Sequence, residues 1–273
     1  MARRSLAYHD LGHFAQGGVA ELRKIALEDG TVAILRVLQG GKLLRLGLRH
    51  RFAVGTRIRY ALTPHPNIVN SFERGTRLLR PYEIIEFVNG VSLRSLFNSM
   101  SPVVRNSAEA IVNQTAQALS WVHEHGLMHL DVKPENILIA SSPSLLEVKL
   151  TDFDLSRAAD DHGPRRQMGT PGYMAPEQFV AKCSYQASDV FAFGLIAYQL
   201  LTGKIAFSGD SEHSMWRHQA SSRVKARPLR QYNPGIAPRL ENVIMRCLEK
   251  SMAERFRNMT EVVQALSAAR RSR

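Results

Sequence analysis

The run His129-Leu130-Asp131-Val132-Lys133-Pro134-Glu135-Asn136 sets an acid, an ammonium and a carboxamide within a few residues of one another. A carboxylate can take the proton of an attacking hydroxyl, an ammonium can sit beside an anionic group in transfer, and a carboxamide oxygen can ligate a hard divalent cation. Asp131, Lys133 and Asn136 supply these three groups in that order. Two further motifs follow: the acidic Asp152-Phe153-Asp154 and the turn-rich Gly169-Thr170-Pro171-Gly172-Tyr173-Met174-Ala175-Pro176-Glu177.

The elements that must position these residues can be read from patterning. Val19 to Leu27 and Thr31 to Leu38 read as two strands joined by the turn Glu28-Asp29-Gly30. Residues 42–62 carry apolar side chains at mixed helical spacing, and Tyr82 to Val88 is a short apolar strand ending at Asn89-Gly90. From Ser107 to His125, the residues Ala110, Ile111, Ala118, Leu119 and Val122 fall at helical spacing, with Gly126 as the stop. Ile137 to Ala140 and Val148 to Thr151 read as short strands, and helices follow. A strand-rich lobe over 1–88 therefore precedes a helix-rich lobe over 89–273, with no internal repeat.

A chain of 273 residues, 44% hydrophobic and 22% charged, has the composition of a folded globular protein with room for two lobes. Cys183 and Cys247 are too few for a disulfide framework or a four-ligand zinc site, which suits a reducing, cytoplasmic setting. Polar residues interrupt Ser5 to Asp10, where a signal peptide would be apolar. The apolar run Val190 to Leu201 falls short of the roughly 20 residues of a membrane span. The net charge of +12 comes with no zinc-finger spacing or aromatic-interleaved basic stripe, so specific nucleic-acid binding is not expected.

The 129–136 segment resembles the catalytic loop of protein kinases, which implies phosphoryl transfer with Asp131 as proton acceptor, Lys133 beside the transferring group and Asn136 as a magnesium ligand; lysine two positions after the aspartate is similar to the Ser/Thr branch. Asp152-Phe153-Asp154 resembles the Asp-Phe-Gly motif, which implies that Asp152, with Asn136, holds magnesium (or manganese) on ATP. The 169–177 segment resembles the end of a kinase activation segment, implying that Thr170 lies where a protein substrate docks. The same likeness implies structural roles: Asp189 bonds the catalytic-loop backbone, and Glu177 pairs with Arg255, so that Arg255→Ala is expected to unfold the protein. Gly12-His13-Phe14-Ala15-Gln16-Gly17-Gly18-Val19 fits the spacing of the phosphate-covering loop, implying nucleotide contacts from Gly12, Gly17 and Val19. Glu86-Phe87-Val88 would be the hinge, with Glu86 and Val88 at the adenine. The resemblance runs from Leu11 to about Leu266 and implies an α+β, bilobal kinase-like fold, a small strand-rich N-lobe and a larger helical C-lobe with the ATP cleft between.

The first lobe departs from the family pattern. Phe14 stands for the second loop glycine, Asp154 for the glycine of Asp-Phe-Gly, and Leu130 for an arginine that reads a phosphorylated loop. Between Leu155 and Gly169 the one hydroxyl is Ser156. No lysine occurs from Ile25 to Gly41. Alignment on Val32-Ala33-Ile34 puts Leu35 in the place of the phosphate-binding lysine, while counting from Gly30 puts Arg36 there, the reading adopted; Lys24 on the preceding strand is a further alternative. No acid lies between Asp29 and Glu73, so the helix glutamate expected near Gly55 or Thr56 is missing, and the usual ion pair cannot form. Arg45, Arg49, Arg51, Arg57 and Arg59 instead make helix 42–62 a candidate surface for an acidic partner. Two classes of function fit: a serine/threonine protein kinase of atypical or reduced activity, and a pseudokinase acting as a binding or scaffolding module. A kinase of small molecules is a third, against which the 169–177 segment speaks.

Overall fold

Strand alternation and helix capping explain the elements seen in a computed structural model of the chain, which describes residues 6–142, 145–161 and 169–271. The chain divides into two units, Met1–Asn89 with Thr151–Ser156, and Gly90–Leu150 with Arg157–Arg273. Residues 151–156, placed by the sequence reading in the second lobe, thus belong with the first.

The first lobe contains β1 (Tyr8–Gln16), β2 (Ala20–Leu27), β3 (Val32–Leu38), α1 (Leu46–Leu62), β4 (Ser71–Arg77) and β5 (Arg80–Glu86). The strands form one antiparallel sheet in the order β1-β2-β3-β5-β4. The β2–β3 turn closes as expected: Leu27 N–H donates to Thr31 O at 2.9 Å, and Gly30 takes φ 82°, which glycine adopts without strain. Alternation along β3 sorts its side chains. Leu35 packs with Ile25, Ala33 and Ile84 on one face, whereas Leu38 packs with Ala20 and Phe52 on the other. Arg36 shares the second face, its guanidinium 4.6 Å from the centroid of the Phe52 ring.

The second lobe adds β6 (Val91–Ser92), α2 (Leu93–Asn98), α3 (Pro102–Glu124), β7 (Leu127–Met128), β8 (Ile137–Ser142), β9 (Leu145–Leu150), β10 (Arg157–Ala158), α4 (Pro176–Val180), α5 (Gln186–Thr202), α6 (Glu212–Ala220), α7 (Pro238–Cys247) and α8 (Met259–Arg271). Helix α3 starts at Ser101, whose hydroxyl accepts from Val103 N–H at 3.3 Å, and has Pro102 at its first turn, where no amide donor is needed. It ends earlier than Gly126, which turns the chain at φ 67° into β7. Helix α5 is buried along nearly its whole length and forms the core with α3, α7 and α8. Among the described residues no helix is long and apolar enough to cross a membrane.

Candidate active site

The loop between β7 and β8 carries Asp131, Lys133 and Asn136, and a buried acid from α5 sets its backbone. Asp189 is 1% exposed; its Oδ2 accepts from His129 N–H at 2.7 Å and its Oδ1 from Leu130 N–H at 2.8 Å. These bonds hold Leu130 at φ 64°, a left-handed conformation that a leucine adopts only when its surroundings impose it. His123 supports the acid from α3: its Nδ1 accepts from Met259 N–H at 3.0 Å, so its Nε2 is the donor to Asp189 Oδ2, also at 3.0 Å. Burial alone would push the Asp189 carboxyl up, but the His123 hydrogen bond, the nearby imidazoles and the His129 amide hold it below the usual carboxylate range.

Both oxygens of Asp131 are engaged. Oδ2 lies 2.7 Å from Lys133 Nζ and accepts from Asn136 Nδ2 at 3.0 Å, while Oδ1 accepts from the Thr170 hydroxyl at 3.1 Å. Lys133 Nζ reaches the same hydroxyl at 3.1 Å. Asn136 Nδ2 also donates to Asp131 O at 2.8 Å, which turns the carboxamide so that Oδ1 is the atom able to meet a cation. Nearby, Glu177 takes Arg255 in two contacts, Nη1 to Oε1 at 2.9 Å and Nη2 to Oε2 at 3.2 Å, and accepts from Ser188 at 2.7 Å. Leu130 in place of an arginine, with Ser156 as the one hydroxyl from Leu155 to Gly169, leads the sequence to be read as a protein not switched by phosphorylation of that loop. Ser156 is 5% exposed, and residues 162–168 of that loop lie outside the described residues.

The first lobe holds the other candidate residues. Arg36, 9% exposed, faces carboxylates: Nη1 donates to Glu83 Oε1 at 2.8 Å and to Asp154 Oδ1 at 3.0 Å, and Nη2 lies 2.5 Å from Asp154 Oδ2 and 3.7 Å from Asp152 Oδ1. Leu35, the other aligned residue, is in the apolar cluster instead. Burial works against the Arg36 charge, but Asp154, Glu83 and Asp152 together hold its pKa well above the ordinary arginine value. Glu83 sits directly opposite Arg36 across β3 and β5, is fully buried, and also accepts from Arg59 Nη1 at 2.8 Å. Arg59, counted by sequence with the basic surface of its helix, is 1% exposed and so presents no charge to a partner.

In the glycine loop, Gly12 takes φ 110° beside a bulge in β1, and Gly17 N–H donates to Ala20 O at 2.9 Å. Gln39 donates to Gly17 O at 2.8 Å, Lys42 donates to Gly18 O, and Val19 packs against the Ala20–Leu38–Phe52 cluster. Phe14 is half exposed and meets Phe87 edge-on at 5.8 Å, while Lys24 Nζ lies 4.2 Å from the Phe87 ring centroid. Glu86 exchanges hydrogen bonds with Asn70, its N–H donating to Asn70 O at 2.9 Å and its Oε2 accepting from Asn70 N–H at 3.0 Å; Val88 is half-buried. Glu83 is the functional residue that sequence reasoning missed. Its signal was an acid inside the apolar run Tyr82 to Val88 other than the hinge Glu86, and an acid buried among apolar residues demands a partner.

Asp152 in the first unit and Asn136 in the second each offer a hard oxygen donor, a carboxylate and a carboxamide, of the kind magnesium or manganese takes. Among the described residues no cluster of three acids, histidines or cysteines could hold a metal ion.

Two lobes, one strand-rich and one helical, with a loop of Asp, Lys and Asn ordered by a buried acid, define the class of phosphotransferase folds to which the comparisons point. Residues 53–266 match the protein kinase domain model, and the chain belongs to that family, in the branch of bacterial, eukaryotic-like serine/threonine kinases. It is 31% identical over 214 residues to the probable serine/threonine-protein kinase PknB of Lactococcus lactis, covering 76% of this chain and 33% of that one. Serine/threonine-protein kinase Pkn1 of Myxococcus xanthus is 34% identical over 214 residues (76% and 30%), and PknB of Mycolicibacterium smegmatis 32% over 208 residues (72% and 32%). The aligned stretch thus spans about a third of each of these relatives. The family match begins inside α1 and leaves out β1 to β3, the strands that carry the glycine loop and Arg36.

Proposed function

We propose that the chain transfers the γ-phosphate of ATP to a serine or threonine hydroxyl of a protein. The observation that carries this reading is the state of Asp131: Oδ1 already accepts from a hydroxyl, that of Thr170, while Oδ2 is fixed by Lys133 and Asn136. A carboxylate held on one oxygen and open to a hydroxyl on the other is arranged to orient an attacking hydroxyl and take its proton. Lys133, close to both Asp131 and Thr170, sets a positive charge beside the acceptor hydroxyl. Asn136 and Asp152 are the residues for magnesium or manganese, which when bound with ATP neutralises the charge of the phosphates. Gly12, Gly17 and Val19 would cover the nucleotide and Glu86 and Val88 would border the adenine. Exposed Arg45 and Arg57, with half-buried Arg49 and Arg51, on or beside α1 leave room for an acidic partner.

One observation favours the second reading, a module that binds without transferring. The guanidinium of Arg36 is held by carboxylates, where an ordinary kinase directs a lysine at the phosphates. One experiment separates the two: transfer of labelled γ-phosphate from Mg-ATP to the protein itself and to a generic basic substrate, comparing the parent with Asp131→Asn. The enzyme reading expects measurable transfer by the parent and a loss of about 10²–10⁴-fold in the variant. Absence of transfer by the parent overturns it in favour of the binding module.

A further inference from the structure

Arg36, Glu83, Arg59 and Asp154 make one ion-paired network inside the first lobe, and the helix beside it brings a glycine where the family pattern expects an acid. Helix α1 contains no Asp or Glu from Leu46 to Leu62. At Gly55, a Cβ would come within 2.7 Å of Asp154 Oδ1 and 2.9 Å of both Asp154 Cα and the Phe153 carbonyl carbon. Two of these are backbone atoms, so any side chain at 55 would push the 152–154 segment off the helix. With glycine there, Asp154 lies against α1 and turns both carboxylate oxygens to Arg36, at 3.0 and 2.5 Å. Glu83 takes the same guanidinium from β5 at 2.8 Å and balances Arg59 from α1. Two buried arginines thus face one fully buried acid, Glu83, and one partly buried, Asp154.

We propose that Asp154 is a positioning residue that replaces the missing helix acid, anchoring Arg36 from within the metal-binding segment itself, and that Gly55 is the gap in α1 that admits it. The inference rests on the kinase reading and deepens it: the acid that steadies the β3 cation has moved from the helix to the residue two places after Asp152. Asp152 keeps its side chain 38% exposed and 3.7 Å from Arg36 Nη2, so the anchor fixes the backbone next to it while leaving its carboxylate accessible. The placement of Asp152 then depends on the Arg36–Asp154 contact.

Three variants test this. Asp154→Asn removes the charge at constant shape, Asp154→Gly installs the family residue, and Gly55→Ala fills the gap in α1. The first readout is amide hydrogen exchange over residues 151–156 in the nucleotide-free protein, and the second is KM for Mg-ATP against kcat. Both Asp154 variants are expected to speed exchange over 151–156 by about 10- to 100-fold, the equivalent of a lost charge-assisted hydrogen bond. They are also expected to raise KM, and Gly55→Ala, which pushes the 152–154 segment off α1, is expected to speed exchange over the same residues. Unchanged exchange in the two Asp154 variants overturns the proposal, as does unchanged exchange in Gly55→Ala. Absence of transfer by the parent protein refutes the kinase reading only, since hydrogen exchange still decides whether Asp154 is the anchor.

Discussion

Arg255→Ala removes a guanidinium that is 1% exposed and tied to four different residues. Its Nη1 donates to Glu177 Oε1 at 2.9 Å and to Ala187 O at 2.8 Å, its Nη2 to Lys250 O at 3.3 Å, and its Nε to Glu249 O at 2.9 Å. Truncation leaves the Glu177 charge, itself 8% exposed, with the Ser188 hydroxyl. An exposed pair would be worth about 0–1 kcal/mol, but a buried pair that loses one partner costs about 3–5 kcal/mol, because the surviving charge stays desolvated. Against a domain stability of about 5–15 kcal/mol, that is enough to leave the second lobe marginal. At roughly 2–4 °C per kcal/mol for a domain of this size, Tm falls by about 6–20 °C. Trp121 and Trp216, the protein's two tryptophans, both lie in the second lobe, so their fluorescence during heating or urea unfolding reports its loss directly. Adding Glu177→Ala completes a double-mutant cycle, and removing both charges should cost at least about 1 kcal/mol less than the sum of the single losses. A Tm within about 3 °C of the parent, or an additive cycle, would refute the reasoning.

The Asp189 carboxyl, held below the usual carboxylate range, binds fewer protons folded than unfolded. Its contribution is therefore complete above the unfolded value of about 3.9 and is lost as pH falls through the lower folded value. Urea midpoints read by tryptophan fluorescence should fall below about pH 4, and Asp189→Asn should flatten that part of the profile. In the first lobe, Leu78 (φ 49°) and Leu79 (φ 65°) form the two-residue turn between β4 and β5, 87% and 70% exposed, in backbone conformations that Asn-Gly adopts far more readily. Replacing them with Asn-Gly should stabilise the hairpin by about 1–2 kcal/mol, seen as slower amide exchange across β4 and β5; unchanged or faster exchange would contradict this.

Asp131, Lys133 and Asn136 were legible because a single loop carries them, so sequence spacing is already spatial proximity. The hairpin of β2 and β3 and the helix α3 were legible for the same reason, since turn residues and apolar period are local signals. The network around Arg36 was not, because its members come from β3, α1, β5 and the 152–154 segment. Sequence showed the missing lysine and helix acid but not what took their place. Some of it was readable in hindsight. Strand alternation alone separates Leu35 from Arg36, and the buried positions of α1, Phe52, Gly55, Thr56, Arg59 and Leu62, follow helical spacing, so Arg59 falls on the inward stripe and not with the exposed arginines.

The chemistry of that network bears on why it exists. Two arginines and two acids largely buried together repay their desolvation only through good mutual geometry, and apolar residues of similar volume would hold the lobe together as well or better. Apolar packing is non-directional, however, and tolerates small shifts of a segment. A guanidinium that meets both oxygens of Asp154 and one of Glu83 restricts both distance and angle. The segment it restricts contains Asp152, whose carboxylate must stand at a defined place if it is to ligate a cation as proposed. Stability therefore gives no reason for four largely buried charges at this point of the fold, whereas orientation of Asp152 does.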